Sequence, residues 1–235
     1  MNTAKEKNQL VLSFLTVRRA LGLLGLALPL LLIGFGVLFS DGIEDSVSAF
    51  YYTSMGDIFV GILCAIGVFL FSYKGYPPEK DERITDRRVS QIAGVGAIVT
   101  AVFPTPIDDV PSCDPACLVT GLPASTLHFA GAGVFFAAMA VFCLVLFTRT
   151  APGTQPDAEK RRDNRIYRGC GITILAMLAA LIAFFLLVED GSELQLQLNA
   201  INLVFWLETI AIIAFAIAWL VKGETLRALF GISPD

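Results

Sequence analysis

All 17 Lys and Arg residues of this 235-residue chain fall in alternate connections between six apolar segments. The segments run over about 21–40, 57–73, 90–104, 125–147, 166–188 and 200–221. Lys5, Lys7, Arg18 and Arg19 precede the first. Lys74, Lys80, Arg83, Arg87 and Arg88 lie between the second and third. Arg149, Lys160, Arg161, Arg162, Arg165 and Arg168 lie around the connection from the fourth to the fifth, and Lys222 and Arg227 follow the sixth. The three other connections contain no base. Positive residues are retained on the cytoplasmic side during insertion. The pattern therefore predicts an all-α integral membrane protein: one six-helix bundle over residues 1–235, with both termini cytoplasmic, crossing the cell membrane repeatedly.

Composition agrees. The chain is 55% hydrophobic with a mean hydropathy of +0.70, and 16% of its residues are charged, against about 25% in soluble domains. Six spans of roughly 20 residues occupy about half the chain and leave no room for a separate soluble domain. The first apolar run is too long for a cleavable signal and no small-residue cleavage site follows it, so it reads as an uncleaved span. The predicted outer face holds Asp41, Glu44, Asp45, Asp57, Asp108, Asp109, Asp114, Glu189, Asp190 and Glu193 without a base. Such a face concentrates cations; equally, acids are tolerated there because insertion largely ignores them. The basic run AEKRRDNRIYR adjoins a span, which suits anionic lipid headgroups rather than nucleic acid. No phosphate loop, nucleophile elbow or internal inverted repeat is evident.

Glu208, in NLVFWLETIAIIAFAIAW, is the acid within a span. A carboxylate there must face the bundle interior, find a partner or stay protonated, and such residues mark ion paths, proton relays or polar pockets. The alternative is a protonated Glu bonding a neighbouring helix. His128, the single histidine, falls near the outer start of the fourth span, and Asp57 at the outer start of the second. The topology sets both near the depth of Asp108 and Asp109, with Glu208 deeper. Tyr51 and Tyr52 suit the headgroup zone beside them. These seven residues are the candidate pocket lining. Asp57 and His128 are compatible with a divalent metal or a proton relay; alternatively Asp57 caps a helix and His128 only hydrogen-bonds. One histidine is too few for the zinc site of seven-helix ceramidase-type hydrolases, and no cofactor is identified. Cys113 and Cys117 share an outer loop and are disulfide candidates in an oxidising compartment. Cys64, Cys143 and Cys170 lie in spans as packing residues.

Two segments carry a resemblance. LHFAGAGVFFAAMAVFCLVLF, residues 127–147, resembles the His-x-x-Gly-Ala-x-x-Phe-Phe helix of the DRAM-like six-span family. FWLETIAI, residues 205–212, is similar to that family's last span, and EDSVSAFYYT is a looser counterpart of its Ile-Ser-Asp motif. The family includes autophagy modulators and proteins linked to lipid and GPI-anchor remodelling; the chain is also similar to uncharacterised bacterial six-span proteins. The resemblance implies a lipid-related role without implying a reaction. The expectation is an outward-facing polar and acidic pocket that binds a lipid headgroup or small polar ligand. The alternatives are a proton- or cation-coupled carrier using Glu208, and a metal-dependent membrane enzyme acting on lipid. Partners are the bilayer and that ligand; nucleic acid is not expected, and oligomeric state is undetermined.

Overall fold

A computed structural model describes residues 2–40, 42–76, 82–105, 121–150 and 153–225, with side chains from residue 15 onward. Its helices are α1 (Asn2–Phe39), α2 (Gly56–Ser72), α3 (Asp86–Val102), α4 (Ala124–Val141), α5 (Ala158–Leu187), α6 (Glu193–Ala200) and α7 (Leu203–Lys222). A short 3-10 helix, Ser48–Tyr52, precedes α2, and a π-helical turn, Phe142–Leu146, extends α4. The described residues contain no strand. Four of the helices are long and apolar enough to cross a membrane: α1 from Leu15, α4 with its π turn, α5 and α7. The apolar α2 is shorter, at 17 residues.

Helix starts follow local chemistry. The first backbone N–H groups of a helix lack intrahelical partners, and a short polar side chain supplies one. Thr85 accepts from the Arg88 amide at 3.3 Å, Asp157 from Lys160 at 2.7 Å and Ser192 from Gln195 at 3.1 Å. The Asp157 cap starts α5 eight residues before the predicted fifth span. Much of the basic run is thus helix rather than flexible connection. The predicted sixth span corresponds to α7, and the left-handed backbone of Asn202 (φ 51°) just before it separates it from the short α6. α1 runs without a break through the apolar stretch 9–17 and accommodates Pro29.

Six helices close into a ring in the order α1, α2, α3, α4, α5, α7 and back to α1. Small residues set the tightest crossings. A Cβ at Gly67 would lie 3.0 Å from the Gly94 carbonyl, and one at Gly96 2.8 Å from the Gly131 carbonyl. Thus α3 approaches α2 on one side and α4 on the other at backbone distance, as small residues permit between membrane helices. Gly61 faces open space. Gly22 and Gly25 admit Leu220 and Phe215, which pairs α1 antiparallel to α7.

The core is aromatic towards the basic end. Trp219 touches the rings of Tyr73, Phe142 and Phe147 at centroid distances of 5.1–5.3 Å. Trp219 is 1% exposed. Four rings converge there, so the indole serves as packing. Cys143 and Cys170 are free and buried, and Cys64 is free and half-buried.

Candidate functional site

The connection between α1 and α2 folds back over the opposite end of the ring. Residues 43–47 run alongside the first two turns of α7. Asn202 Nδ2 donates to the Ile43 carbonyl at 3.2 Å, and the Phe205 amide donates to the Asp45 carbonyl at 2.9 Å. The Val47 amide donates to Glu208 Oε2 at 2.7 Å. The Phe205 amide belongs to the first turn of α7 and would otherwise be orphaned, so the Asp45 carbonyl caps it. Glu208 in turn caps the start of the 3-10 helix, where the Ser48 amide also lies against its carboxylate. Phe50 anchors the roof, fully buried against Phe205 and Phe35.

Beneath this roof lies a cavity of about 50 Å³. Glu208, Val47 and Ser48 form one part of its wall, and His128 and Thr100 another. The remainder is apolar and comes from α1, α2, α3, α4 and α7, including Leu28, Phe59, Leu63, Phe135 and Ile212. At roughly 10–15 Å³ per water, the space holds three or four waters or a small polar group. It does not hold a whole phospholipid headgroup.

His128 is 3% exposed, and its Nδ1 lies 2.7 Å from the Phe103 carbonyl. A carbonyl only accepts, so Nδ1 carries the proton. In the neutral ring, Nε2 is then the atom able to accept or exchange one. Thr100 spends its hydroxyl proton on the Gly96 carbonyl at 2.9 Å, so its oxygen contributes only acceptor capacity to the wall.

The structure brings together two of the seven candidates, Glu208 and His128. Asp57 sits in the first turn of α2, as predicted, but it is exposed and absent from the cavity wall. Placement at one depth does not place residues on one face: Phe59, two positions on, takes the inward direction. Tyr51 is half-buried with its ring 5.1 Å from that of Tyr52. Tyr52 is exposed and donates to the Thr105 carbonyl at 2.6 Å. Neither tyrosine lines the cavity. Asp108, Asp109, Cys113 and Cys117 lie outside the described residues. No group of three or more His, Cys, Asp or Glu side chains suited to a metal occurs among the described residues. Val47, Ser48 and Thr100 escaped the sequence reading. Two of them act through backbone amides, which leave no trace in residue type.

No family model, curated protein or solved structure matches this chain.

Proposed function

We propose that this chain is a six-span protein of the cell membrane, with both termini cytoplasmic, whose outward cavity binds a small polar ligand through Glu208 and His128. The supporting observation is that the two side chains, remote in sequence, line one cavity with otherwise apolar walls. Ionisable groups in a span are retained where they meet water, a ligand or each other. Supporting the span count, α2 is apolar and α3 is flanked by α2 and α4 at glycine contacts, which lets a less apolar helix sit among the spans. The cavity volume selects the ligand's reach. An amino or hydroxyl group fits, either free in a small molecule or as the tip of a lipid headgroup inserted from the outer leaflet. Glu208 accepts from that group, and His128 supplies the second polar contact.

A second reading, a carrier coupled to protons or cations, is favoured by the attachment of the roof to Glu208. Neutralising the carboxylate weakens its bond to the Val47 amide, so proton binding and roof opening are linked. A lipid-acting metal enzyme gains no support from the described side chains.

Ethanolamine serves as the test probe. Wild-type protein in phosphatidylcholine nanodiscs should gain several degrees in thermal midpoint with millimolar ethanolamine, and Glu208→Gln should gain none. An equal response in both, or no response in either, contradicts the ligand reading. Acidification of an entrapped pH dye in proteoliposomes, lost in Glu208→Gln, would favour the carrier.

A further inference from the structure

Among the described residues, the basic end of the ring holds two cations that no carboxylate meets at ion-pair distance. Arg18 is 9% exposed. Its Nε and Nη2 reach the Tyr73 hydroxyl at 3.3 and 3.1 Å, and its guanidinium carbon lies 5.6 Å from the ring centre of Tyr76. Lys222, the last residue of α7, places Nζ 5.1 Å from the same Tyr76 ring and 5.3 Å from that of Phe147. Among the described residues the ion pairs are Arg149 with Glu82 and Arg162 with Asp163, so neither Arg18 nor Lys222 belongs to one. The Asp86 carboxylate is felt by both cations and that of Asp163 by Lys222, but neither comes within ion-pair distance of them, and Asp86 Oδ2 accepts from the Tyr76 amide at 3.1 Å. A phenol is neutral near pH 7, so Tyr73 is no counter-ion.

An unpaired cation withdrawn from water is strongly unfavourable. An aromatic face returns only part of that cost. The two cations also repel, and most of their N–H donors are unspent. Three residues past Lys222, the Thr225 hydroxyl is buried with no hydrogen-bond partner among the described residues. Tyr76, by contrast, is 60% exposed, which leaves a way in beside its ring.

We propose that Arg18 and Lys222, gathered around Tyr76, form a binding site for one phosphate-type anion at the basic end of the bundle. The anion's oxygens accept from the lysine ammonium and from the free guanidinium edge, and it supplies the missing negative charge. Arg and Lys are the usual phosphate partners, one as a planar fork and the other as a point charge. The ends of the apolar helices lie at headgroup level, so the phosphate of an inner-leaflet phospholipid reaches the site; free phosphate offers the same chemistry. The proposal does not depend on the cavity at the other end.

The test uses full-length protein in an uncharged sugar detergent, titrated with phosphatidylglycerol in one arm and inorganic phosphate in the other. Native mass spectrometry counts retained lipid, and the thermal midpoint reports binding. Wild type should retain one lipid and gain several degrees. Lys222→Met and Arg18→Lys should bind about tenfold more weakly, and Lys74→Gln, an exposed base nearby, should match wild type. A midpoint rise with inorganic phosphate alone identifies free phosphate as sufficient; a rise with lipid only identifies the headgroup. Midpoints without additive establish folding, and Arg18→Lys keeps the charge should a neutral variant fail to fold. Wild-type affinity in Lys222→Met, an equal loss in Lys74→Gln, or no binding by wild type in either arm overturns the proposal.

Discussion

The two ends of the ring bury opposite charges by different means. At one end Glu208 is held by backbone amides of a folded-back connection, and those amides are themselves orphans of a short helix. At the other, Arg18 and Lys222 are held by aromatic faces and a neutral phenol. Backbone donors are directional, so the acid fixes a roof in place and leaves a small cavity under it. Ring faces are tolerant of direction, so the bases pack tightly into an aromatic core without a carboxylate at ion-pair distance among the described residues. The first arrangement leaves room under its roof; the second is filled by rings.

The largest expected effect tests the packed end. Trp219→Ala removes a side chain that touches four other rings. It should cost roughly 3 kcal/mol, the low end for aromatic truncation, because lipid already removes much of the transfer term that adds to such losses in water. Equilibrium unfolding in detergent measures it. A loss no larger than that of Phe50→Ala in the roof would mean the two ends are equally packed and would break the contrast.

Glu208→Leu comes next. If the acid were only an awkward buried group, an apolar replacement would be neutral or stabilising. The Val47 amide changes that expectation, since Leu leaves a buried donor unsatisfied. The cost should be about 1–2 kcal/mol by the same assay. Glu208→Gln keeps an accepting oxygen and should lose less than about 1 kcal/mol. A Leu variant more stable than wild type would show that the roof is held by Phe50 and not by the carboxylate.

Arg18→Gln should be the mildest of the stability changes, about 0.5–1 kcal/mol, because removing an uncompensated charge offsets the lost ring and phenol contacts. A loss exceeding that of Glu208→Leu would mean the cation is fully paired within the protein.

Cysteine accessibility sharpens the orientation of the comparison. In a background without native cysteines, Ser46→Cys and Ser192→Cys should react with an impermeant thiol reagent from outside, and Gly153→Cys should not. The reverse pattern would exchange the faces to which the two ends belong.

The helical framework was legible because apolar length and Lys/Arg placement are one-dimensional signals. Glu208 was legible for the same reason: a carboxylate inside an apolar run stands out. Its partner was not, because the Val47 donor is a backbone atom in a connection remote in sequence, and any residue but proline offers it. Asp57 illustrates the converse limit. Its place in the first turn of α2 was read correctly, but the rotation of α2 that turns Phe59 inward and Asp57 outward depends on the glycine crossing at Gly67 and Gly94. Arg18 and Lys222 were read only as topology markers. That they meet at Tyr76 follows from the pairing of α1 with α7, which no local pattern encodes. The α5 start was missed because a charged run looked like a connection, although Asp157 is a good helix cap.

The measurement closest to the central claim is hydrogen exchange of segment 43–52 in nanodiscs, followed by mass spectrometry. If Glu208 fastens the roof over the cavity, the amides of Val47 and Ser48 are protected in wild type and nearly as protected in Glu208→Gln. In Glu208→Leu they should exchange about tenfold faster, matching a loss of about 1.4 kcal/mol. Unchanged protection in the Leu variant would contradict the account, because the roof would then stay closed without the carboxylate.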